Sequence, residues 1–253
     1  MVTNVKKTLT LTWFIFTFFI INIAAGDDIG KQVRLEVVPQ WYSSNKIKIY
    51  GQISVRKEFH KNDWLRYVVK PSIAYSLSDT WSLRGGVGLL YTDNKNSNGY
   101  EIPDRFEIRP FQGVKYNYSL NEKWKIDTYG RVEERFDFNT DTKDSINSLR
   151  LRLRLRLVYK FNAYQSGKYY RAIFSAEGFT NTSDVTHETD EKYQFSLGLE
   201  RSFNHNQKGR IELTWENQDA FYSSGEINYS KIYLRIRYYP TWGTVYNKIR
   251  QHD

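Results

Sequence analysis

The chain contains no cysteine. That absence excludes a disulfide framework, a thiolate metal site and a lipid-modified N-terminal cysteine. Histidine is scarce: His60, His187, His205 and His252 are the only four, and they share no metal-ligand spacing. No Gly-rich phosphate loop opens a helix, and no helical periodicity is evident. Beyond residue 26 no apolar run is long enough for a membrane helix.

The first residues hold a shorter one. Lys6 and Lys7 precede a mostly apolar stretch from Leu9 to Ile23, followed by the small residues Ala24, Ala25 and Gly26. Residues 1–26 therefore read as a signal peptide cleaved after Ala25 or Gly26. A membrane anchor is the alternative, but the run is short and Asp27 and Asp28 follow it. Export without cysteine fits a bacterial envelope. Of the 37 basic residues only Lys6 and Lys7 leave with the signal, against 28 acidic residues that all remain, so the rest of the chain stays basic.

What is abundant is alternation. "LRLRLRLRL", Leu149 to Leu157, sets leucines against Arg150, Arg152, Arg154 and Arg156. In a strand this gives one apolar and one cationic face, whereas in a helix it would smear both around the circumference. A solvated basic patch is the bland alternative for one such strand, but the pattern recurs. Ile47, Ile49, Ile53 and Val55 alternate with Lys48, Tyr50, Gln52, Ser54 and Arg56, and Tyr67, Val69, Ile73 and Tyr75 oppose Arg66, Lys70 and Ser72. "WSLRGGVGLLY", "RFEIRPFQGVKYNY", "YQFSLGLERSF", "GRIELTWENQ" and "SKIYLRIRYY" repeat it. Interleaved polar and apolar residues in segments of about ten are how a closed β-barrel in lipid conceals its apolar content.

Connection lengths point the same way. "LSDT", "SLNEK" and "NHNQK" are short; the stretches 93–104, 139–148, 181–191 and 219–229 read as longer loops. Short periplasmic turns opposite longer extracellular loops are an outer-membrane habit. Trp41, Trp64, Trp81 and Trp124 lie near strand ends, and Trp64, Trp81 and Trp124 are expected in the aromatic belts of the membrane interface rather than in a core. About eleven strands can be counted. The even numbers of bacterial barrels favour twelve, with ten the alternative, the missing strand being sought in 241–253 or removed by demoting Lys31–Tyr42. The fold class expected is all-β: a single closed antiparallel transmembrane barrel over 27–240, followed by a tail or last partial strand. Glu134 interrupts the outward apolar set, so a bulge or a place near the rim is expected there.

If leucine faces lipid, arginine faces the lumen. The basic lumen set includes Arg131, Arg135, Arg150, Arg152, Arg154, Arg156, Arg235 and Arg237; its acidic partners are Glu107, Glu133, Glu177, Glu200, Glu212 and Glu216. So many enclosed charges must pair or meet water. A narrow pore favouring small anions or acidic oligosaccharides follows from the arginine excess. A lumen plugged by Arg–Glu pairs, giving a closed structural or surface-interaction barrel, follows from the same wall.

"RVEERF", "RLRLRLRL", "SAEGFTN", "GGVGLLY" and "EIRPFQ" together resemble a bacterial outer-membrane barrel family labelled only as domain of unknown function twenty-four-ninety, over about Val33 to Tyr239. The resemblance implies fold and location but no chemistry. The arginine rows are also similar in theme to oligogalacturonate-type and sialic-acid-type porins. A terminal aromatic residue, frequent in outer-membrane barrels, would be Tyr238 or Tyr239, but the chain continues past it.

Catalysis has weaker support. A lipid-modifying barrel would need a nucleophile and a base at the rim; Ser183, Asp184, His187 and Glu188 fall together only in a loop. Glu133 with Glu177 as an acid–base pair is less natural than charge pairing with arginine. The acidic "SDVTHETDE" lacks the ligand order of a calcium loop. No metal, cofactor or nucleic acid is expected, since the basic residues alternate and the chain is exported. The partners expected are outer-membrane lipids, lipopolysaccharide and anionic solutes, in a Gram-negative bacterium.

Overall fold

The computed structural model describes residues 29–59, 64–94, 103–161, 168–183, 189–204, 206–222 and 225–243. Residues 1–28 (where a signal peptide is expected), all four histidines, the Asp184–Glu188 stretch and the tail beyond 243 lie outside the described residues.

Three strands are broken in two. β1 (Gly30–Val37) continues into β2 (Gln40–Tyr42), β3 (Ile47–Tyr50) into β4 (Ile53–Glu58), and β5 (Trp64–Val69) into β6 (Ser72–Ser76). Pro39 and Pro71 lack the N–H a ladder needs, and Gly51 lies against the Pro39 ring. The breaks are aligned: Gly51 N donates to the Pro39 carbonyl (2.9 Å), Gln52 and Lys70 exchange backbone bonds, and Val87 N donates to the Pro71 carbonyl (3.2 Å). An oblique crease thus crosses this side of the wall without opening it.

Eight unbroken strands complete the sheet: β7 (Trp81–Asn94), β8 (Arg105–Ser119), β9 (Trp124–Asn139), β10 (Ser145–Lys160), β11 (Tyr170–Ser183), β12 (Thr189–Asn204), β13 (Gln207–Tyr222) and β14 (Gly225–Trp242). β7 pairs with β6 along its first half and β5 along its second. Antiparallel pairing then runs from β7 to β14. Counting each broken strand once, the sheet is a closed barrel of eleven staves.

Eleven replaces the expected twelve and its alternative ten. An odd number of alternating staves leaves first and last running the same way, so closure is parallel: Arg34 lies beside Arg235 and Glu36 beside Arg237. The Lys31–Tyr42 segment is a full stave bent at Pro39. The expected loops are also partly strand, because hairpin pairing continues into them. β9 and β10 are joined by 140–144 alone, while the connection 161–169 lies on the opposite, short-turn rim. Glu134 sits opposite Leu149 in unbroken register, with no bulge; the ladder of β8 instead skips Arg109 and Pro110.

The barrel is inside-out relative to a water-soluble one. Leu153 is 62% exposed on the outer face, with Leu35, Ile53, Tyr67, Ile73, Leu151, Leu155, Phe195 and Ile211 also outward. Glu133 is 1% exposed within, alongside buried Glu107, Glu200, Glu212 and Glu216.

Candidate functional site: the lumen wall

Side-chain alternation sends every second residue of each stave inward. The sequence-derived basic set, Arg131, Arg135, Arg150, Arg152, Arg154, Arg156, Arg235 and Arg237, borders one internal cavity of about 920 Å³. Arg34, Arg56, Arg66, Arg84, Arg109 and Arg210 border it too, as do Lys48, Lys70, Lys192 and Lys208.

The carboxylates are held in charge-assisted pairs. Glu107 accepts from Arg109 (2.6 Å) and from Arg135 (2.6 Å). Glu133 pairs with Arg131 and lies 3.5 Å from Arg109. Arg152 pairs with Glu177, joining β10 to β11. Asp127 holds Lys115 at 2.7 Å and Arg154 at 3.3 Å. Glu200 accepts from Arg210 (2.5 Å) and Arg171 (3.2 Å). Glu36 and Glu212 grip Arg237 from both sides, at 2.6 and 2.8 Å. Glu216 gathers Lys192, Lys231 and Arg34 at 3.3, 3.6 and 3.9 Å. Each pair among the described residues joins one stave to itself, to its neighbour or to the next but one. The networks therefore run along the wall and leave the cavity between them.

Pairing is uneven around the ring. Lys48, Arg56, Arg66, Lys70 and Arg84, on the staves from β3 to β7, have no carboxylate within ion-pair distance among the described residues; neither do Arg150, Arg156 and Lys208. Neutral groups hold some of them: Arg66 donates to Thr92 (2.7 Å), Arg84 to Ser72 (2.8 Å) and Arg150 to Asn181 (2.6 Å). Others lie over ring faces, Lys70 on Phe111 at 4.8 Å and Lys48 on Tyr42 at 4.2 Å. Arg56 and Arg156 each keep a buried Nε with no hydrogen-bond partner. The staves from β3 to β7 thus carry five cations with no carboxylate within ion-pair distance among the described residues.

The aromatics divide differently from expectation. Trp81 packs on Tyr116 (4.7 Å), Trp124 on Tyr159 (4.7 Å) and Trp41 edge-on to Trp242 (6.1 Å), all at the short-turn rim. Trp64 does not join an outer belt. It shares parity with Arg66, covers that guanidinium at 4.8 Å and lines the cavity mouth. Strand-end position alone does not fix which side a tryptophan faces; counting in twos from Arg66 would have. Lys48 and Lys70 are site residues that the arginine-centred list passed over, although the same alternation marks them.

The family described as "Protein of unknown function (DUF2490)" matches residues 36–239. No curated protein and no solved structure matches the chain.

Proposed function

The chain belongs to the DUF2490 family of proteins of unknown function, and from that membership and its lumen we propose that it is an outer-membrane barrel whose interior passes small anions or acidic oligosaccharides. One observation carries the reading: among the described residues, eight cations border the cavity with no carboxylate within ion-pair distance. Rings of arginine and lysine select anions in known pores. The apolar outer face supports placement in a bilayer, with lipids and lipopolysaccharide as its contacts, and the aromatic clusters at the short-turn rim support a headgroup-level belt. No catalytic step is part of this reading.

The closed-barrel alternative draws on the carboxylates already paired inside among the described residues, including Glu36, Glu58, Glu107, Asp127, Glu133, Asp137, Glu177, Glu200, Glu212 and Glu216. It is second because those pairs follow the wall. Planar-bilayer recording in a salt gradient separates the two. Anion-preferring channels are expected; no conductance, or a cation preference, overturns the pore.

A further inference from the structure

Beside the crease the cavity wall carries a cluster of cations in which Arg131 alone has a carboxylate partner, Glu133, while Lys70 and Arg84 have none within ion-pair distance among the described residues. Lys70 is the last residue before the Pro71 break. Its ammonium lies over Phe111 at 4.8 Å, and among the described residues no carboxylate lies within ion-pair distance of it, Glu133 acting on it from farther off. The guanidinium of Arg131 lies over the same ring at 4.9 Å. Phe111 thus brings two cations together that repel one another.

Two polar groups beside them lack partners. Tyr129 is 4% exposed and its hydroxyl makes no hydrogen bond; Arg131 is 8% exposed and its Nε makes none either. Burying such groups unpaired costs roughly 1–3 kcal/mol each; the nearby Glu133 carboxylate faces Arg131 and Arg109 but accepts a hydrogen bond from neither group, so an incoming acceptor would relieve both. Arg131 and Arg154 flank the Tyr129 ring at 5.7 and 5.4 Å, and Arg84 reaches toward this region over Tyr50 at 4.3 Å. Space for the Tyr129 ring comes from Gly113, where an added Cβ would meet that ring at 3.0 Å and the Gly130 carbonyl at 2.5 Å.

We infer that Lys70, Arg84, Arg131 and the Tyr129 hydroxyl form a discrete binding site for one oxoanion group, a carboxylate, sulfate or phosphate, on the lumen wall beside the crease. The inference deepens the anion-pore reading: it replaces a diffuse positive field with a saturable station. A trigonal or tetrahedral oxoanion matches the donors because it offers several acceptor lone pairs at once to an ammonium, guanidinium N–H groups and a phenol O–H. Chloride has no oriented lone pairs to exploit and serves as the discriminating control.

The test is calorimetric titration of the refolded full-length barrel in detergent micelles, with galacturonate, sulfate, inorganic phosphate and chloride as separate probes. Saturable binding of at least one oxoanion, well above chloride, is expected. The carboxylate, sulfate and phosphate arms then identify which chemistry the site takes. Lys70→Gln should weaken that binding about tenfold and Tyr129→Phe by a smaller factor, while Lys123→Gln, exposed in the turn before β9, leaves it unchanged. Since Lys70 has no partner to abandon, Lys70→Gln keeps the fold; heat-modifiable gel mobility checks this. Binding that is unsaturable for every probe, equal for chloride, or unchanged in folded Lys70→Gln overturns the site. Anion-selective conductance without saturable binding removes the site and leaves the pore. Saturable binding without conductance removes the pore and leaves the site.

Discussion

Nε of Arg237 donates a 2.6 Å hydrogen bond to Oε2 of Glu36, tying the last stave to the first across 201 residues of chain. The same arginine reaches Glu212 at 2.8 Å, so one guanidinium fastens three staves at the parallel seam. Arg237→Ala would leave the buried Glu36 carboxylate with Arg235 at 3.6 Å and without its side-chain hydrogen bond across the seam, where the backbone ladder stays. Removing one member of a buried pair costs about 3–5 kcal/mol, and a loss toward the lower end is expected here because Arg235 remains. Urea titration in vesicles, followed by the gel shift between folded and unfolded barrel, reads it. An unchanged midpoint would show that backbone pairing alone holds the seam.

The outer face makes a depth-dependent prediction. Leu153 lies mid-strand on β10 and is 62% exposed, whereas Leu120 is exposed in the turn before β9. In a bilayer, Leu153→Arg should destabilise the barrel by about 2–4 kcal/mol and Leu120→Arg by about 0–1 kcal/mol. Equal costs, measured by folding titrations into the same lipid vesicles, would contradict an apolar belt spanning a membrane.

Period-two alternation made the two faces legible before any coordinates. Each step along Leu149–Leu157 moves a side chain to the other side of the wall, whatever lies beside it. Partnership was not legible, because it depends on register between strands. Arg152 meets Glu177 and Arg150 meets Asn181 only because β11 is set against β10 as it is. Stave number turned on Pro39, Gly51 and Pro71. They break strands without ending staves, and the even-number habit of bacterial barrels then displaced a count that already stood near eleven. Trp64 was placed by its position along the strand when its parity with Arg66 decided its side. The long connections were overestimated because polar residues at the ends of β9, β10, β13 and β14 pair as readily as apolar ones once a hairpin is under way.

Gly86 marks where β7 passes from one half of the broken stave to the other. A Cβ there would fall 2.4 Å from the Pro71 carbonyl, 2.6 Å from Ser72 and 2.9 Å from the Phe111 ring. Backbone cannot retreat as a flexible side chain can, so Gly86→Ala should behave as an overpacked site and cost about 1–3 kcal/mol. Gly130, with open space around its Cβ position, is the matched control, and Gly130→Ala should change the unfolding midpoint little. If both alanines behave alike in urea titration, the crease is not a close approach in the folded protein.

Charge reversal in the arginine ladder should depend on which arginine is reversed. Arg152 and Arg154 are committed to Glu177 and Asp127. Glutamate at 152 would face Glu177 and Glu133, leaving two buried carboxylates in repulsion, so Arg152→Glu is expected to lower the yield of folded barrel before selectivity can be asked about. Arg150 and Arg156 have no carboxylate partner among the described residues, and Arg156 has a buried Nε with no acceptor at all. The double variant Arg150→Glu with Arg156→Glu should fold and move the reversal potential in a salt gradient toward cation preference. It adds two negative charges where two positive ones faced the cavity, in a low-dielectric enclosure where such changes are poorly screened. An anion preference unchanged in the folded double variant would mean that permeating ions do not pass this face, and the cations from β3 to β7, with Lys208, would then have to carry selectivity.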